Sequence, residues 1–271
     1  MQGGGGRDGG GRDGSESGWR RGGVGAAVGT AGVGAAEVGQ VNQYPVNLDL
    51  RGRKVLVVGG GRVACRKAKD ALEAGAEITV VSPAVDAELA ALRDAGSLRQ
   101  VPRRFEAADL EGCFLAIAAT DDRAVNAEVS RAAFRGNILV NVVDDAALSN
   151  FTVPAKLRRG ALLLTASTGG ASPSLSREIR KKLEGIFGEE YAAYVEFMAR
   201  LRPAIIEMTD DPLARAAIFG YLADFGLIEL FAKDRFRFLE RLRDGLPAGL
   251  MKRAEEILLF ARDGRRGPTE G

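Results

Sequence analysis

The chain contains no histidine. That absence removes Ser-His-Asp triads, histidine-ligated zinc sites and the usual neutral-pH proton shuttle. Acid–base chemistry is left to Asp, Glu, Lys, Tyr, Cys or the substrate itself. Cysteine is almost absent too. Cys65 and Cys113 form neither a Cys-x-x-Cys pair nor a disulfide framework, so a reducing cytoplasm is the expected compartment. No run of about 18 charge-free apolar residues occurs, which argues against a transmembrane helix. Excess charge is also lacking: 38 basic and 36 acidic side chains leave +2. General nucleic-acid binding is therefore not expected, and any basic surface must be local.

What is abundant is glycine, and it is unevenly placed. The first 40 residues hold 16 of the 36 glycines, beginning "MQGGGGRDGGG". Such a segment buries too little apolar surface to offset its chain entropy, so residues 1–43 are expected to be a disordered tail.

From Tyr44 short apolar runs alternate with helical patterns. The runs 54–59, 77–83, 98–103, 113–120 and 137–144 read as strands, and 62–76, 85–96 and 122–136 as helices. That alternation predicts an α/β fold, a Rossmann-like parallel sheet with helices on both faces, over 44–146. Two strand-like runs, 150–157 and 161–168, follow in a small segment at 147–188. The helices predicted after them are 173–187, 189–201, 211–225, 227–243 and 247–262, and residues 189–271 form a helical C-terminal region.

Gly59-Gly60-Gly61-Arg62-Val63-Ala64 fits G-x-G-x-x-A, with a strand before it and a helix after it. The first glycine makes the tight turn and the second admits a pyrophosphate. The small Ala64 allows close packing of helix on strand, and the helix N-terminus favours an anion. The plainer reading is a structural turn. The second strand ends at Ser82-Pro83 without the usual ribose-binding acid, and no arginine follows it to meet a 2′-phosphate. This points to NAD rather than NADP, although Arg62 lies within the loop. Thr120 and Asp121 end the fourth strand, where open α/β sheets bind ligands; helix capping explains them equally well.

The fifth strand delivers Asn141, Asp144 and Asp145 to the same edge, beside the expected nicotinamide, with Asn141 a candidate substrate contact. Asp144 is the candidate proton acceptor, since a carboxylate is a plausible base where histidine is missing. Loop solvation accounts for Asp145. A second strand–turn–helix follows at "LTASTGGASPSLSREIRKKLE" (164–184), where Ser167, Thr168, Gly169, Gly170 and Ser172 offer another anion site. Seven basic residues between 151 and 182, Arg177 among them, face one acid, Glu178. A solvated face is the bland explanation; a substrate with several carboxylates is the sharper one.

Together, "YPVNLDLRGRKVLVVGGGRVACRKAKDALEAGAEITVVSP", "FLAIAATDDRAVN", "NVVDDAALSNFTVPA" and "TASTGGASPSLSREIRKKLE" resemble the precorrin-2 dehydrogenase family, the siroheme-synthase enzymes. The resemblance covers roughly 44–200. It implies NAD-dependent oxidation of precorrin-2 to sirohydrochlorin. It also implies a homodimer built through the segment after the Rossmann domain and, in many members, insertion of ferrous iron. Iron would enter as a substrate; no standing metal site is implied. The family's key aspartate maps onto Asp144 and its cofactor loop onto Gly59 to Ala64, with Arg62 and Val63 at the contact positions. Ser82 and Pro83 fall near its second-strand contacts. The family's Ser-Gly-Gly-x-Ser-Pro turn has Thr168 in its first position here, which keeps a hydroxyl. The competing reading is a non-catalytic Rossmann module that senses NAD and regulates a partner.

Overall fold

Residues 43–260 are described by the computed structural model. The expected glycine-rich tail therefore lies outside the described residues, apart from Gln43. Five parallel strands, β1 (Lys54–Val58), β2 (Glu77–Val81), β3 (Arg99–Val101), β4 (Leu115–Ala118) and β5 (Leu139–Val142), form one sheet in the order β3-β2-β1-β4-β5. Three helices follow their strands: α1 (Arg62–Glu73), α2 (Ala87–Asp94) and α3 (Arg123–Arg135). A short 3₁₀ turn at Ala107–Leu110, unforeseen in the sequence, links β3 to β4. The predicted Rossmann-like class is what the chain adopts.

The period of two along the strands sorts the core. Val55, Val57, Ile78, Val80, Leu115 and Ile117 pack beneath α1 and α2. Leu56, Val58, Val81, Ala116, Ala118, Val140 and Val142 pack with α3. A strand covered on both faces reads as an unbroken apolar run, which is why β1 and β4 were legible.

The next segment departs from expectation. The strand placed at 150–157 is β6, Ala155–Arg159, paired antiparallel with β7, Leu162–Ala166, so that Leu157 lies opposite Leu164. Residues just before it close the free edge of β5 with side chains. Asn150 donates its backbone N–H to the Val140 carbonyl, accepts the Val140 N–H on Oδ1 (2.7 Å) and donates Nδ2 to Ile138 (3.0 Å). Ser149 Oγ accepts the Val142 N–H. The amide of one asparagine thus takes the place of a strand, and Pro154 could not have donated to a ladder.

The helix α4 (Pro173–Ile186) packs on the hairpin, and five more follow among the described residues: α5 (Glu190–Met208), α6 (Pro212–Leu222), α7 (Phe225–Lys233), α8 (Arg235–Gly245) and α9 (Ala248–Phe260). Two expectations are corrected here. The helix expected to stop at 201 runs through Pro203 to Met208. Burial of Leu201, Ala204 and Ile205 in the helical core outweighs the loss of one backbone bond. The helix expected over 227–243 is two, broken at Asp234. That residue is extended (φ −145°, ψ 90°), ends α7, and accepts the Arg237 N–H to cap α8.

The helical core centres on Tyr194, Phe197, Phe231 and Phe238, whose ring centroids lie 5.1–6.3 Å apart. The Tyr194 hydroxyl donates to the Leu222 carbonyl at 2.6 Å, satisfying the one polar atom buried with that cluster. Leu201→Ala is expected to lower the unfolding free energy by about 2–5 kcal/mol through a cavity in this core. Asp234→Ala should lower it by about 1 kcal/mol through the lost cap. Urea titration followed by far-UV circular dichroism measures both.

Candidate functional site

The strand order changes direction between β1 and β4, and a cleft opens at their carboxyl ends. Gly59 leaves β1 at φ +121°, a backbone state that side chains rarely adopt. A Cβ there would strike the Ala119 carbonyl after β4. At Gly60 a Cβ would overlap the Ala84 carbonyl oxygen and lie 2.7 Å from Ser82 Oγ. Gly60 also accepts the Asp86 N–H at 2.8 Å, fastening the loop after β1 to the loop after β2. Gly61 differs: a Cβ would meet nothing within 4 Å, so only the cleft lies before it.

The first turn of α1 faces that space without a competitor. Its N-cap, Gly61, has no capping side chain, and no acidic residue occupies the turn. By contrast α2, α3 and α4 are capped by Asp86, Asp122 and Ser172. The free N–H groups and the helix dipole of α1 suit a phosphate. The cleft encloses about 450 Å³ and is lined by Gly59, Gly60, Gly61, Arg62, Val63, Ser82, Pro83, Thr120 and Asp121. All nine were singled out in the sequence. Ala64, the tenth, is fully buried against the sheet and serves packing, not lining.

At the opposite lip the capping falls to Asp122, while Thr120 and Asp121 line the cleft. Thr120 lines the cleft while its hydroxyl donates to Asn126 Oδ1 (2.8 Å). Asp122 caps α3 by accepting from the Ala124 and Val125 N–H groups, and Asp121 is exposed beside it. Ser82 is committed locally, donating to the Ala84 carbonyl at 2.6 Å. The lining also includes Arg103, Arg104 and Phe105, which follow β3. No arginine follows β2 directly, where the sequence pattern places a 2′-phosphate contact. The parallel pairing of β3 with β2 brings these arginines beside Ser82, whose N–H reaches the Val101 carbonyl at 3.2 Å.

The other candidates lie apart from this lining. Asp144 is exposed in the tight turn after β5 and adopts φ +61°, a left-handed state that Asp tolerates better than most residues. Asp145, expected to be a solvated loop residue, is half-buried and accepts from the Ala147 and Leu148 N–H groups instead. Asn141 is buried and donates to the Phe151 carbonyl at 3.2 Å. A lysine the sequence reading missed, Lys67 on α1, lies within electrostatic reach of Asp144. Burial pushes its ammonium down, and the Asp70 and Asp144 carboxylates oppose that shift.

The second turn is ordered by its own hydroxyls. Thr168 Oγ1 accepts the Ser172 N–H and donates to the Ser172 carbonyl, Ser167 Oγ accepts the Gly169 N–H, and Ser172 Oγ accepts from Leu175. The basic cluster is less free than its count suggests. Lys156 pairs with Asp70, Arg159 with Glu189, Arg180 with Glu184 and Lys181 with Glu178. Arg158, Arg177 and Lys182 have no such partner among the described residues.

A family described as NAD(P)-binding matches residues 46–155. A solved structure named SirC, precorrin-2 dehydrogenase, superposes with a TM-score of 0.63 at 35% identity, covering 74% of this chain and 100% of that one. The chain belongs to the precorrin-2 dehydrogenase family. Relatives named siroheme synthase include one from Methylococcus capsulatus, 40% identical over 73% of this chain and 42% of its own length. Siroheme synthase 1 of Aeromonas salmonicida is 44% identical over 81% and 44%. The chain thus spans less than half the length of these curated relatives. Membership of the precorrin-2 dehydrogenase family and the match over 46–155 support a nicotinamide cofactor, and the uncapped helix fits its pyrophosphate.

The glycines then separate by substitution. Gly61→Ala is expected to keep the melting temperature while weakening dinucleotide binding at least about ten-fold, because the methyl group enters the cradle. Gly60→Ala should lower both. Thermal unfolding with calorimetric titration of NAD checks the pair.

Proposed function

We propose that this chain oxidises precorrin-2 to sirohydrochlorin with NAD as acceptor, in siroheme biosynthesis. The observation that carries this reading is the coverage of the whole SirC precorrin-2 dehydrogenase chain at 35% identity. When bound, NAD supplies the hydride acceptor. The amides of Gly60, Gly61, Arg62 and Val63 would hold its pyrophosphate beside the Gly59 turn, and Ser82, Pro83, Thr120 and Asp121 would bound the remainder.

Oxidation removes a hydride and a proton from the tetrapyrrole. Asp144 takes the proton: it is exposed at the carboxyl edge of the sheet and has no hydrogen-bond partner among the described residues. Its exposed position lets the carboxylate meet a large substrate. Arg158, Arg177 and Lys182, free of acidic partners, receive substrate carboxylates. The turn Ser167, Thr168, Gly169, Gly170, Ser172 supplies hydroxyl and amide donors. Asn141 braces the base of the Asp144 turn through Phe151. Ferrous iron enters as a second substrate, with the same carboxylate accepting pyrrole protons.

In this reading residues 44–146 bind the dinucleotide, 147–188 hold the tetrapyrrole and the dimer contact, and the helices over 190–260 are an addition. The protein works in the cytoplasm as a homodimer. One face of α4 supports the dimer: Leu175, Ile179 and Ile186 are 52%, 36% and 62% exposed, an apolar stripe that a monomer leaves in water. Among the described residues no helix is long and apolar enough to cross a membrane.

Anaerobic incubation with precorrin-2 and NAD should generate NADH and the sirohydrochlorin spectrum; absence of both would overturn the proposal. Adding ferrous iron tests chelation in the same cuvette. Asp144→Asn should slow NADH formation by about 100-fold or more. Ile179→Glu should shift the light-scattering mass from dimer to monomer.

A further inference from the structure

The ribose end of the dinucleotide cleft has an unusual charge balance. In folds of this type the group that reads the adenosine ribose lies at the carboxyl end of β2: an acid for a free 2′-hydroxyl, an arginine for a 2′-phosphate. Among the described residues, the carboxylates near that end each have a partner. Asp86 accepts the Leu89 N–H at 2.8 Å and caps α2. Asp109 receives both terminal nitrogens of Arg103, at 2.8 and 2.6 Å, and Arg103 holds its carboxyl below the ordinary range. Glu106 lies 3.7 Å from Arg103 and caps the 3₁₀ turn.

Arg104 remains. It lines the cleft with Ser82 and Pro83, is exposed, and has no carboxylate partner among the described residues. Its backbone is held on both sides. Arg103 donates to the Arg104 carbonyl at 2.9 Å, and Phe105 is anchored in the core. The Arg103–Asp109 pair therefore acts as a strut that fixes where Arg104 leaves the chain. An exposed arginine on a fixed stem, lining the cleft beside Ser82 and Pro83 while Asp121 lies on the opposite lip after β4, matches the planar, multidentate recognition of a phosphate.

We infer that the cleft contains a 2′-phosphate subsite built on Arg104, so that the protein accepts NADP as well as NAD. The inference rests on the dinucleotide reading of the cleft and extends it. NAD fills the site without a ribose carboxylate; the 2′-phosphate adds a charge-assisted contact. Hydride balance is unchanged, with NADP reduced to NADPH in place of NAD to NADH.

Calorimetric titration of the full chain with 2′,5′-ADP and with 5′-AMP tests this without any turnover. The wild-type protein should bind 2′,5′-ADP about ten-fold more tightly or better, the size of one hydrogen bond to a charged group. In Arg104→Ala the ratio of the two affinities should collapse towards one, and in Arg104→Glu it should invert. The preference should also weaken as salt rises. A wild-type ratio near one, or a preference that survives Arg104→Ala, overturns the inference while NAD binding leaves the cleft assignment standing. Failure of NAD, NADP and both fragments to bind overturns the cleft assignment and the inference together.

Discussion

The site depends on one close approach of backbone to backbone. Where β1 ends, the chain passes so near the loops after β2 and β4 that neither Gly59 nor Gly60 has room for a Cβ. The Asp86 N–H bond to the Gly60 carbonyl, together with the Gly59 N–H bond to Val81, locks that crossing. From it follow the exit direction of α1, its uncapped first turn, and the cleft between Gly61 and Thr120. Two glycines serve the crossing and the third serves the space beyond it. This division explains why a motif of three adjacent glycines is not redundant.

Polar satisfaction shapes the β5 edge of the sheet in the same economical way. β5 is the last strand of the sheet, and an unpaired edge invites association. Asn150 and Ser149 cover it with side-chain and backbone bonds, which pulls the chain back sharply after Val142. The sharp return puts Asp144 at the tip of a turn in a left-handed state, while Asp145 ties down the turn's far side. Of two adjacent aspartates, one is structural and one is left free. The basic cluster shows the same partition: four of its seven members are held by acids, and Arg158, Arg177 and Lys182 remain available.

The C-terminal helices form a core separate from those of the sheet, built on Leu201, Ile205, Leu222, Leu242 and the aromatic cluster. Its two departures from expectation share a cause. Proline at 203 is locally unfavourable in a helix, yet packing on both sides carries α5 through it. Asp234 lies in what reads as a continuous amphipathic pattern, but its side chain favours capping a new helix over continuing the old one. Local punctuation and tertiary packing competed at both places, and neither wins consistently.

The sequence by itself determined the sheet, the nucleotide cradle and the family. Buried parallel strands are continuous apolar runs, and a cradle made of backbone requires glycine at fixed spacing. Nine of the ten expected cofactor residues line one cleft for that reason. It also marked Asp144, because a chain without histidine has few candidates for a base. Only the tertiary structure decided which charges are free. Asp109 neutralises Arg103 but leaves Arg104 open, and Lys67 comes near Asp144 from a helix 77 residues earlier in the chain. Such pairings depend on which strands lie side by side and on which carboxylates are taken by caps. Spacing along the chain carries neither fact.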